Sequence, residues 1–210
     1  MGNIVLLDDN TINKIAAGEV IERPASVVKE LMENSIDAGA NKITIEIKNG
    51  GKTFIKVVDN GKGMEQDDMF LSLERHATSK IKNIEDLENN YTMGFRGEAL
   101  ASIAAIANVE LVSKTKEQDV GYKIVVEAGN VLEKEEVGCQ VGTSITVNNL
   151  FFNTPVRYKF LKKDYTETGY IEDVITRIAL VNPGISFKLI NSRKNNNPNI
   201  WKWRHKKCNI

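Results

Sequence analysis

Two cysteines and two histidines are too few for most metal and redox frameworks in this chain of 210 residues. Cys139 and Cys208 have no metal-type spacing and build no disulfide scaffold. His76 and His205 make a zinc site an unpromising reading. No apolar run is long enough to span a bilayer. The N-terminus lacks a charged start, an apolar middle and a small-residue cleavage site, so a cytosolic protein is expected. Net charge is also lacking, with 28 basic and 28 acidic side chains. That balance hides an asymmetry. Residues 193–210 hold six Lys or Arg and no Asp or Glu, which leaves residues 1–192 with 22 basic against 28 acidic groups. The body therefore does not read as a basic nucleic-acid binder.

With 41% hydrophobic and 27% charged residues, the chain suits one globular domain, residues 1–192, with an atypical tail at 193–210. Asn10 is expected to cap a short helix through "TINKIAAG", closed by Gly18. Pro24 suits the first turn of the next helix, and Gly39 the position just past its end. In "KITIEIK", Ile43, Ile45 and Ile47 alternate as in a half-buried strand, and "NGG" turns it into "TFIKVVD". A helix is expected within 65–73. Residues 74–97 form a long polar segment, and "EALASIAAIA" is a small-residue helix. Strands follow near 109–113, 121–127, 131–137 and 143–149. Then come helices in "PVRYKFLKK" and "YIEDVITRIAL", with "ISFKLI" as the last strand. Hairpins mixed with helices imply an α+β, two-layer sandwich: a mixed, mainly antiparallel sheet with helices on one face.

The stretch "VVKELMENSIDAGA" (27–40) places an amide and three carboxylates on an amphipathic helix. At about 100° per residue, Val27, Val28, Leu31, Met32, Ile36 and Ala38 face the core. Glu33 falls beside Lys29 on the wet side. Glu30 and Asn34, four apart, are surface neighbours at the seam, with Asp37 on the same edge. Asn is a poor helix former, so this placement reads either as a solvated seam or as a magnesium and water site. In the second reading the amide oxygen, phosphates and water hold Mg²⁺, and a carboxylate takes a proton from an attacking water.

Four further stretches could touch a ligand. "DNGKGM" puts Asp59 at a strand end before Gly61 and Gly63, either as an ordinary turn or as a carboxylate able to accept from an exocyclic amine such as that of adenine. "GFRGEALAS" brackets Arg96 with Gly94 and Gly97 before a helix, a place where amides attract phosphate, or simply a helix start. "GTSITV" offers Thr143 to a base or a bridging water, or is merely a strand edge. "RHATSKI" groups Arg75, His76, Thr78, Ser79 and Lys80 in the polar segment, which could fold as a lid over a triphosphate.

Together, "INKIAAGEVIERPASVVKELMENSIDAGA", "DNGKGM", "RHATSKI", "GFRGEALASI" and "VGTSITVNNLFFNTPVRYKFL" resemble the MutL family of DNA mismatch-repair ATPases, in the family's order, over about residues 4–192. The wider superfamily of gyrase, heat-shock chaperones and sensor kinases shares only the Asn helix and glycine loops. The resemblance implies a lidded ATP site on a Bergerat-type sandwich. Glu30 would orient and activate the hydrolytic water, and Asn34 would hold Mg²⁺. Asp59 would read adenine N6, with Ala38, Gly63 and Thr143 nearby. Thr78 and Ser79 would belong to the lid, and Gly94, Arg96 and Gly97 to the phosphate loop. Val156 stands where the family usually has Ala.

The resemblance also implies what is missing. Family members are much longer. An S5-like second domain donates a lysine to the γ-phosphate, and a C-terminal domain holds the dimer. Partners implied for the full-length family are a second copy, the mismatch-recognition protein, DNA and a downstream nuclease or helicase. The chain alone is expected to be monomeric without ATP, with no membrane association, in a bacterial cytoplasm near the nucleoid. A hydrolysis-incompetent nucleotide-binding or interaction fragment is the alternative. The tail "NSRKNNNPNIWKWRHKKCNI" contains both tryptophans. It reads as a basic-aromatic nucleic-acid tail, as disorder, or as a frameshift product. Trp has the single codon TGG, so reading one base onward turns Trp201 and Trp203 into glycines. With A-rich codons the frame can spell "EKTIIQTSGNGDIKNVI", which resembles the family's continuation.

Overall fold

The computed structural model describes residues 5–6, 8–75, 77, 97–192 and 198–203, with side chains at 9, 10 and 198–203 left aside. Eight strands form one sheet: β1 (Lys42–Lys48), β2 (Phe54–Asp59), β3 (Asn108–Lys114), β4 (Gly121–Glu127), β5 (Asn130–Val137), β6 (Gly142–Asn148), β7 (Ser186–Ser192) and β8 (Pro198–Trp203). Their order is β5-β4-β3-β6-β2-β1-β7-β8. Among the described strands only the β1–β7 pair is parallel; the other neighbours run antiparallel. Among the described residues six α-helices accompany the sheet: α1 (Asp9–Val20), α2 (Pro24–Asp37), α3 (Gln66–Leu71), α4 (Ala99–Ile106), α5 (Pro155–Phe160) and α6 (Asp164–Val181). This is the expected α+β sandwich with a mixed, mainly antiparallel sheet.

Strand alternation decides which face is covered. Register aligns Leu189, Ile45, Val57, Ile145, Leu111 and Ile124 as one row across six strands. Ile45, Leu111, Ile124 and Leu189 in that row are fully buried. A second row runs Ile47, Ile55, Val147, Val109 and Val126 on the same face. Against these rows lie Val27, Val28, Leu31 and Met32 of α2, Ile103 and Ile106 of α4, and Ile171 and Ile175 of α6. Burying each such side chain contributes about 1.5–3 kcal/mol, which makes this slab the main source of stability. Edge strand β5 is exposed along nearly its whole length and carries Glu133, Lys134, Glu135 and Glu136. Charges there discourage pairing with another chain's edge.

Several boundaries differ from the sequence reading, among them α5, which ends at Phe160, and α6, which begins at Asp164. Asp8, not Asn10, caps α1, because its carboxylate accepts from the Thr11 backbone N–H at 2.9 Å and from the Thr11 hydroxyl at 2.7 Å. The helix also runs past Gly18 to Val20. A Cβ at Gly18 would overlap the Arg157 guanidinium, so this glycine makes room for a side chain instead of ending a helix. "ISFKLI" is not the last strand either. The tail's residues 198–203 add β8 on β7, with Leu189 opposite Trp201, so an unstructured tail does not describe these six residues.

Candidate functional site

The apolar rows end one step before the C-terminal end of β2. The next row on the same face is Ile43, Asp59, Thr143, Ser113 and Tyr122, so core gives way to polar groups there. β1 and β2 place Asp59 opposite Ile43, and β6 begins beside it with Gly142 and Thr143. A row that would otherwise be Val or Ile carries a carboxylate and three hydroxyls.

Asp59 is tied on both oxygens. Oδ2 accepts from the Ser35 hydroxyl at 2.8 Å. Oδ1 accepts from the backbone N–H of Gly61 at 2.8 Å and of Thr143 at 3.3 Å. Burial pushes the carboxyl above the ordinary aspartate range, and these three hydrogen bonds oppose that shift without cancelling it. An ionised carboxylate offers about four acceptor positions, so three are engaged and one remains for an incoming donor.

The glycine loop closes one side. Asn60 caps the neighbouring turn, with its Oδ1 accepting from Asn41 N at 3.1 Å and Lys42 N at 2.9 Å. Lys62 N–H donates to the Ala38 carbonyl at 3.0 Å, and a Cβ at Gly61 would sit 2.9 Å from the Ala38 Cβ. Gly63 has φ +73° and lies against the Lys114 carbonyl oxygen. A larger residue fits neither the conformation nor the space. Gly142, at φ +121°, abuts the Asp59 carbonyl oxygen in the same way.

Helix α2 brings the second half of the site. Pro24 starts it and Gly39, at φ +76°, follows its C-cap Ala38, as the sequence suggests. Val27, Val28, Leu31 and Met32 are buried, but Ile36 and Ala38 are only partly so, because the core ends near them. Ser35, absent from the sequence reading, is the buried residue here. Its hydroxyl bridges the Leu31 carbonyl at 3.0 Å and Asp59, and so locks α2 to β2. Lys29 pairs with Glu33 at 2.8 Å and more loosely with Glu30 at 3.3 Å. Glu33 is not on a wet face: its side chain is 12% exposed against 25% for Glu30. Glu30 and Asn34 occupy successive turns of α2, as the wheel places them.

Ala38, Asp59, Gly63 and Thr143 therefore converge with Ser35, Gly61 and Ser113. Gly97 opens the approach to α4 at φ +64°, directly before Glu98. His76, Thr78, Ser79, Gly94 and Arg96 lie outside the described residues. Arg75, the first residue of the same segment, donates to Asn13 of α1 at 3.3 Å and pairs with Glu98 at 3.7 Å, so the base of that segment joins α1 to α4. Among the described residues no three His, Cys, Asp or Glu side chains cluster to hold a metal ion.

This geometry has relatives. A family model described as "Histidine kinase-, DNA gyrase B-, and HSP90-like ATPase" matches residues 21–145. The DNA mismatch repair protein MutL of Caldanaerobacter subterraneus subsp. tengcongensis is 58% identical over 194 residues, covering 92% of this chain and 33% of that protein. MutL of Agathobacter rectalis is 52% identical over 194 residues. The chain thus spans about a third of the length of these curated relatives. Among solved structures, the Aquifex aeolicus MutL ATPase domain complexed with ADP is 38% identical with a TM-score of 0.70, covering 90% of this chain and 66% of that one. The N-terminal domain of a DNA repair protein is 31% identical with a TM-score of 0.78, covering 93% of this chain and 57% of that one. The chain belongs to the histidine kinase-, DNA gyrase B- and HSP90-like ATPase family, and within it to the N-terminal ATPase domain of MutL.

Proposed function

We propose that the chain binds ATP with Mg²⁺ and hydrolyses it as the switch-bearing part of a bacterial, cytoplasmic mismatch-repair protein. The observation that carries this reading is the Asp59 carboxylate, buried at a strand end and fixed on three sides with one acceptor position left. Adenine N6 supplies the missing donor, and Thr143 adds a hydroxyl beside it. Burial makes the carboxylate costly when empty, and a donor from the base offsets that cost.

Asn34 presents an oxygen donor one turn from Glu30, which suits an ion that keeps waters and shares phosphate oxygens more than one caged by protein carboxylates. When bound, Mg²⁺ neutralises charge on the phosphates. Glu30 orients the attacking water and takes its proton. Glu33 is the poorer candidate, because its carboxylate is the one held closely by Lys29. Gly94, Arg96 and Gly97 cradle phosphate, and Thr78 and Ser79 close over it. In the longer protein, nucleotide state then governs pairing of two copies and contact with the mismatch-recognition protein, DNA and a downstream nuclease or helicase.

A second reading is a nucleotide-binding fragment silent in hydrolysis. Single-turnover hydrolysis separates the two. The first expects Glu30→Ala to slow the reaction by about 10²–10⁴-fold, with Glu33→Ala far milder. No turnover in the unaltered chain, unchanged by Glu30→Ala, selects the silent fragment.

A further inference from the structure

Ser113 of β3 is 1% exposed and sits in the polar row beside Thr143. Its hydroxyl oxygen accepts from the Met64 backbone N–H at 2.9 Å, across 49 residues of sequence. It also lies 3.0 Å from the Gly142 carbonyl, to which it can donate, and 3.1 Å from the Thr143 hydroxyl. One buried hydroxyl thereby joins the end of the glycine loop to the start of β6. Gly63 packs on the Lys114 carbonyl and Gly142 on the Asp59 carbonyl, which leaves no room for a bridging side chain from either glycine.

We propose that Ser113 is a positioning residue for recognition of the adenine edge. It holds Thr143 and the Met64 end of the loop at fixed separation, so that the Thr143 hydroxyl and the Asp59 carboxylate meet the base together. The inference rests on the ATP reading above and adds a residue that itself touches no nucleotide. Without the hydroxyl, Met64 N–H loses its acceptor in a part-buried setting, and the loop and β6 are free to separate. Contacts to the adenine edge then weaken, while contacts to ribose and phosphates do not.

The test compares ATP with ITP, each with Mg²⁺, by equilibrium competition. Hypoxanthine has a 6-oxo group and an N1–H, so it cannot donate to Asp59 from position 6 and has little edge recognition to lose. Ser113→Ala is expected to weaken ATP about tenfold, the loss of roughly one hydrogen bond's worth of affinity, and to leave ITP within about twofold. Ser113→Cys keeps the volume but bonds weakly, and is expected to follow Ala; Ser113→Thr keeps the hydroxyl and is expected to restore the preference for ATP. Equal weakening of both nucleotides, or no weakening of either, overturns the proposal, as does a Cys variant that binds ATP like the unaltered chain. If the unaltered chain binds no ATP, the ATP reading fails and this inference with it, a result distinct from binding whose preference ignores Ser113.

Discussion

Asp59 is the residue on which site and stability pull in opposite directions. Burial raises its pKa, so the folded state holds a proton more tightly than the unfolded chain does. Its contribution to stability is then fully present below the unfolded aspartate range and is lost as pH rises through the raised folded value. Asp59→Asn keeps an oxygen for Gly61 and Thr143 and presents an amide to the Ser35 oxygen. The variant is expected to melt at a higher temperature than the unaltered chain near neutral pH, with the difference vanishing in acid. Thermal melts across pH check this; a lower melting temperature at neutral pH contradicts it. Sequence patterns singled out Asp59 and Thr143, which the fold brings together, and Glu30 and Asn34, which it places on successive turns of α2, because each stands in a motif with glycines or a helix phase around it. Ser113 and Ser35 were illegible for a physical reason. A serine in "VELVSKT" or "MENSID" obeys the alternation or wheel of its own element, and its partners come from register between elements 24–49 residues apart.

Elements were easier to read than their ends. Alternating isoleucines gave β1, and the apolar arc of α2 placed its buried side. The start of α1 was harder, because "DDNT" offers four successive capping residues and only the backbone geometry selects Asp8. Strand β8 was hidden in a tail whose composition argues against a core, but pairing with β7 needs backbone hydrogen bonds, not an apolar pattern. The glycine loop is the element most sensitive to a single methyl. Gly63→Ala meets both φ +73° and the Lys114 carbonyl oxygen. Backbone strain alone costs about 1–3 kcal/mol, and steric overlap adds to it. Denaturant unfolding is expected to show at least that loss, with Gly129→Ala as comparison, since Gly129 at φ +84° has open space around its missing Cβ. Equal losses at the two positions would falsify the claim that close packing on β3 shapes the loop.

At the scale of the molecule, one sheet face is spent on the helices, and the place where its apolar rows stop is where the ligand site begins. Helix α2 spans both regions, with its hydrophobic residues in the core and Ser35 on Asp59. In the proposed switch, occupancy of the site would bias the packing of α2 and the contacts of Arg75 with Asn13 and Glu98. The most direct measurement is calorimetric titration of ATP·Mg²⁺ into the unaltered chain and into Asp59→Asn. Saturable binding at one site per chain, reduced at least tenfold by the substitution, is the expected result. No binding at millimolar nucleotide, or equal affinity in the two proteins, contradicts a nucleotide site built on Asp59.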